Sequence, residues 1–276
     1  MNSRSASRAV EKIVWVVCVA WLVCLPLQSR AQDAGQSAAG RRPQAKTEQE
    51  RNDFNRAYAL TGGGACAAAA NDFAGKYPES ELRRYLYSNA MLQYQRENNP
   101  EKMLAMGERV LALDPDNPLA LVLTATALAD SLGDRDRDRE RKIGSIKRNA
   151  ARAIQSAEIQ YASVNEDAAL YKTTLQSMAY SALGIMKLKT GDDAGAERDL
   201  KAAADLKKAQ PDPYVWYHLA LAQDHRKKYT AALNSVDQAL QLSSSNPDLQ
   251  KLAEAEHERL AGLAKGPRNA APAEPQ

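Results

Sequence analysis

Two stretches of 34 residues, 177–210 and 213–246, carry side chains of matching size in the same order. The second places Trp216, Leu219, Ala220, Ala232, Val236 and Ala239 where the first has Tyr180, Leu183, Gly184, Ala196, Leu200 and Ala203, and adds Tyr229. Each stretch reads as two helices joined by a short turn, with apolar positions three and four residues apart. Helices of this length are not stable alone, and each has only one apolar stripe. Neighbouring hairpins must therefore stack to bury a continuous core. The chain is thus expected to be all-α, with strand signals absent across 47–264.

Proline punctuates the stack. Asn99-Pro100, Asn117-Pro118, Asp212-Pro213 and Asn246-Pro247 each set a capping residue before proline at the first helical position. A unit at 84–117 carries Tyr87, Tyr94 and a Leu111-Ala112-Leu113-Asp114-Pro115 ending, although Met91, Met103 and Gly107 depart from the pattern. The first unit, 47–80, has Ala57, Leu60, Ala69 and Phe73 in place and closes on Tyr77-Pro78, while Asp53 and Arg56 interrupt its first helix. The unit opening at Pro118 is expanded. Its first helix runs through Ser131, a charge run occupies 134–142, and Ala150, Ile154 and Ala157 mark a late second helix. The next helix begins early, near Glu166, after a Ser163-x-x-Glu166 capping box. A final helix over 247–263 caps the array.

The Pro213, Trp216, Leu219-Ala220, Tyr229, Ala232 and Ala239 order resembles the tetratricopeptide repeat (TPR). The resemblance implies a right-handed superhelical stack of helix hairpins, an α-solenoid of about five units across 47–264. It also implies a non-catalytic scaffold that binds a protein or peptide in a groove lined by the first helices. Tyr85, Ser88, Asn89, Leu92 and Arg96 would line that groove from one unit, and Ser181, Ile185 and Lys189 from a second. Tyr214, Tyr217, His218, Leu221 and His225 would follow from a third. Lys187 departs from the family, which has an aromatic there, and Pro211 and Asp212 are added between two units. The Lys/Asn pattern by which some members clamp a terminal carboxylate is missing. Two rival readings share the fold: a membrane-tethered envelope-assembly factor, and an accessory subunit of an enzyme whose catalysis resides in a partner.

Residues 1–31 read as a secretory signal peptide. Arg4, Arg8 and Lys12 precede an apolar stretch over 13–27, and Ser29 and Ala31 are the small residues that signal peptidase needs. Cleavage after Ala31 is expected, placing the mature chain in the periplasm or outside the cell. Val17 and Val23 stand before Cys18 and Cys24 where lipid attachment needs a small residue. The segment holds four basic residues and one acidic residue, against 37 and 34 in the whole chain, so the remainder is neutral and carries no nucleic-acid footprint. Of three cysteines only Cys66 lies beyond it. Residues 32–46 suit a flexible spacer, and 265–276, rich in alanine and proline, a disordered tail.

No constellation for chemistry emerges. The carboxylates of Asp134, Asp136 and Asp138 have calcium-loop spacing, but Arg139 and Ser145 stand where glycine and glutamate are required. A solvated turn of local ion pairs is expected instead. Gly62-Gly63-Gly64 lacks the lysine and hydroxyl of a phosphate loop and reads as a flexible turn. His218 and His225 are seven residues apart, too far to share one metal on a helix. No metal, cofactor, small-molecule substrate or catalytic residue is assigned.

Overall fold

The computed structural model describes residues 43–160 and 166–264. These form eleven helices and, among the described residues, no strand. They are α1 (Glu48–Tyr58), α2 (Gly63–Lys76), α3 (Arg83–Arg96), α4 (Pro100–Leu113), α5 (Pro118–Asp130), α6 (Arg139–Gln160), α7 (Glu166–Thr190), α8 (Asp193–Leu206), α9 (Pro213–His225), α10 (Tyr229–Leu242) and α11 (Pro247–Ala264). The chain divides into two compact units, Met1–Ala127 and Leu128–Gln276. Within each, helices pack chiefly on their sequence neighbours, which is the packing of an α-solenoid. The signal-peptide, lipid-site, most spacer and tail expectations, together with Ser163, fall outside the described residues.

All four Asx-Pro pairs open helices. Asn99, Asn117, Asp212 and Asn246 accept from the backbone N–H of Lys102, Ala120, Tyr214 and Leu249 at 3.2, 3.0, 2.9 and 3.1 Å. Proline supplies the fixed φ that the first helical position needs and lacks a donor that would go unused there.

In the first unit, Asp53 does not interrupt a helix; it fastens one. Its carboxylate pairs with Lys76 and accepts from the Tyr77 hydroxyl at 2.7 Å, tying α1 to the end of α2. Those two donors hold the Asp53 carboxyl below its usual range. The Gly62–Gly64 run is likewise not a flexible turn. Gly62, with φ +87°, takes a left-handed conformation that suits glycine. Gly63 starts α2, donates to the Glu97 carboxylate at 2.6 Å, and lies so near Tyr94 that any Cβ would overlap the ring. Gly107 also has a use: a Cβ there would sit 2.6 Å from the Thr124 methyl and 3.4 Å from Sδ of the fully buried Met91.

In the second unit, Gly184 brings α7 onto α8, since a Cβ would sit 2.5 Å from Leu200 Cγ. Lys187, in place of an aromatic, donates to the buried Asp199 carboxylate at 2.6 Å. Trp216 is only partly buried, packed with Tyr180 over Ala203, Ala204 and Val215. The charge run is more anchored than a solvated turn. Asp136 accepts from Gly133 N–H at 3.0 Å and from Lys142 at 2.8 Å. Arg139 donates to the Lys189 carbonyl at 3.0 Å, and Lys189 Nζ to the Asp130 carbonyl at 2.5 Å.

Candidate binding surface

The residues expected to line the groove separate into two groups. In the second unit Ser181, Tyr214, Tyr217 and His218 are buried, the last three at 5, 5 and 4% exposure. Packing between hairpins explains this. The Tyr214 hydroxyl accepts from Asn246 Nδ2 at 2.6 Å, which points the ring at the start of α11. Tyr217 lies beside Glu256 and Arg259 of α11, and burial together with the Glu256 charge pushes its hydroxyl up to about 12. His218 Nδ1 donates to the Tyr214 carbonyl at 2.8 Å, and its ring meets Tyr217 edge-on at 5.7 Å. Burial drives the His218 imidazole down to about 4, with the Lys189 cation adding to the effect. A neutral, fully packed imidazole offers a ligand nothing. Ile185 is buried as well, and Lys189 and Leu221 are half-buried. His225 alone of this set is exposed, and it pairs with Asp193 at 2.9 Å.

The first unit differs. Tyr85, Asn89, Leu92 and Arg96 stand at intervals of four, three and four, one line along α3, with Ser88 beside them. Tyr85 and Arg96 are exposed, while Ser88, Asn89 and Leu92 are half-buried. Asn89 Nδ2 donates to the Tyr58 carbonyl at 3.3 Å and also approaches Cys66 Sγ at 3.6 Å. Cys66 in turn donates to the Leu60 carbonyl at 3.2 Å. These bonds bring the end of α1 beside the α3 line. Leu60, expected in the core, is instead 40% exposed, with Tyr58 at 47% and Tyr85 at 38%. Arg84 lies 5.0 Å over the Tyr85 ring, donates to its hydroxyl at 3.2 Å, and pairs with Asp114 at 3.5 Å. Tyr85 is thereby presented as a supported platform.

Sequence reasoning missed Tyr58 and Leu60. A usable signal existed: both fall at the end of a short helix whose apolar stripe is already supplied by Phe54 and Ala57. Among the described residues no group of three or more His, Cys, Asp or Glu side chains could hold a metal ion. No described helix is long and apolar enough to cross a membrane.

No family model matches this sequence, and no curated protein does. The chain is similar to solved helical proteins. One is a thermophilic TPR protein of Thermus thermophilus, at 18% identity and a TM-score of 0.45, covering 75% of this chain and 98% of that one. Another is the MamA RS-1 ArsTM double mutant, at 19% identity and a TM-score of 0.37, covering 66% of this chain and 94% of that one. The repeat character rests on the residues and hairpins described above.

Proposed function

We propose that this chain is a non-catalytic scaffold of the cell envelope that binds a protein or peptide through the face of its first unit built from Tyr58, Leu60, Tyr85, Asn89 and Arg96. One observation carries the reading. Five large apolar side chains are conspicuously exposed among the described residues, and three of them, Tyr58, Leu60 and Tyr85, belong to the end of α1 and the α3 line that the Asn89 and Cys66 bonds bring together. Isolated exposed apolar residues are ordinary, whereas a cluster rimmed by polar groups marks contact with another molecule. Tyrosine suits the role because it supplies large area for little conformational entropy. The half-buried Asn89 amide and the exposed Arg96 add directional donors. The envelope location is supported by the charged, apolar and small-residue order of 1–31.

Site-specific photocrosslinking from Tyr85 in cells tests this reading, with the captured chain identified by mass. Once the partner is known, Tyr85→Ala should weaken its binding by about 1–2 kcal/mol without changing the helical content. Full affinity in both Tyr85→Ala and Leu60→Ser would remove the first unit from consideration.

A further inference from the structure

The long helix α6 turns its apolar side chains Ile143, Ile146, Ala150, Ala153 and Ala157 inward. Directly opposite runs a row of a different kind. Arg141, Arg148 and Arg152 are exposed and stand seven and four residues apart, so they stay within about 20° of one line and span roughly 16 Å. Ile159, at 70% exposure, continues the same row. Between Glu140 and Glu158 the helix has no acidic residue. Arg141 is met by Asp138 from the preceding turn at 2.6 Å, a solvent-exposed pair that a competing carboxylate can replace at little cost. Arg148 donates to a neutral acceptor, Ser145 Oγ, at 3.1 Å. Glu158, off the row, is engaged by Lys172 and Gln176 at 3.3 and 3.1 Å.

We propose that this row of α6 docks an acidic helical segment of a partner protein. The spacing is that of one helix face, so a partner helix with carboxylates seven and four residues apart meets all three guanidinium groups together. Arginine binds carboxylate through two parallel N–H bonds, which makes the match geometric as well as electrostatic. An anionic membrane fits less well. Interfacial helices bury an apolar face in lipid, and here that face is committed to the core, leaving Ile159 as the large apolar side chain of the outward row. This surface lies in the second unit and is independent of the Tyr85 face.

Fluorescence anisotropy at low salt provides the test, using the full chain and a labelled alanine-based helical peptide with three glutamates spaced seven and four apart. A second peptide of identical composition carries them at unmatched spacing, and vesicles of phosphatidylglycerol and phosphatidylcholine serve as the membrane probe. Three exposed pairs should together make the matched peptide bind about tenfold more tightly to wild type than to R141Q/R148Q/R152Q. It should also bind more tightly than the mismatched peptide. These positions are solvated, and matching thermal melts would show that the variant folds. Equal binding of both peptides, or no loss in the variant, overturns the proposal. So does vesicle binding without peptide binding, which would assign the row to a lipid surface. Self-association abolished by the variant would assign it to a second copy of the chain and equally overturn it.

Discussion

His218 is buried and Asp130 half-buried with its Oδ1 shut off from solvent, and their protonation pulls stability in opposite directions. The folded His218 imidazole sits near 4 rather than 6.5, so the unfolded chain binds the extra proton first as pH falls. Its contribution is whole above about 6.5 and drains away toward 4, by up to about 3 kcal/mol. Asp130 is raised from 3.8 to about 7 by burial, only partly offset by the Lys189 charge, and its Oδ1 has no hydrogen-bond partner. The folded state then holds a proton that the unfolded state releases, and that contribution is lost as pH rises from about 4 to 7. Wild-type stability should consequently change little across this window. Asp130→Asn removes one slope and should leave a variant that loses stability steeply on acidification from 6.5 to 4. Urea titrations at several pH values decide the matter, and a flat profile in Asp130→Asn would show that His218 is not packed neutral. Packing gives a second residue-scale expectation. Gly184→Ala places a methyl against the fully buried Leu200 and should cost about 1–3 kcal/mol. Trp216→Ala, at a partly buried site, should cost about 2 kcal/mol, less than the 3–5 of complete burial.

Several of the ties between elements sit at helix ends. Asn246 caps α11 and also donates to the Tyr214 hydroxyl, so Asn246→Ala removes a cap together with a buried hydrogen bond. It should therefore cost about 2 kcal/mol, more than a cap alone, as read from the denaturation midpoint. The turn before α6 behaves unevenly. Arg135 and Arg137 are exposed, and serine in their places should leave stability unchanged, whereas Arg139→Ser loses the Lys189 carbonyl and should cost about 1–2 kcal/mol. These elements were legible to different degrees. The Asx-Pro pairs announced four helix starts because capping is local chemistry. The use of Asp53 and of Gly63 was not legible, since each depends on a side chain, Tyr77 or Tyr94, brought up from another helix. For the same reason Tyr214 and Tyr217 read as groove residues: the 34-residue pattern places them on a first helix but does not encode the covering α11. On α3, Tyr85 is exposed, whereas Asn89 is half-buried with its amide turned onto the Tyr58 carbonyl.

For the whole molecule, the proposed export gives a direct expectation. Intact-mass analysis of protein recovered from cells should show a chain beginning at Gln32, and persistence of residues 1–31 would overturn the proposed processing. The array also has an order of assembly written into it. Among the described residues most cross-helix bonds lie within one hairpin or reach only the next, such as Lys187 to Asp199, Gly63 to Glu97 and Tyr214 to Asn246. Low sequence separation of this sort favours rapid folding, and each hairpin can close soon after it is synthesised. The ties at the α6 turn reach further, 50 residues from Arg139 to the Lys189 carbonyl and 59 from Lys189 to Asp130. That turn can form its local pairs, Asp136 with Lys142 and Asp138 with Arg141, at once, but its ties to Lys189 must wait until the end of α7 has been made. A nascent chain arrested before Lys189 would thus carry a closed first unit followed by an unfinished α6, open to protease at 131–138.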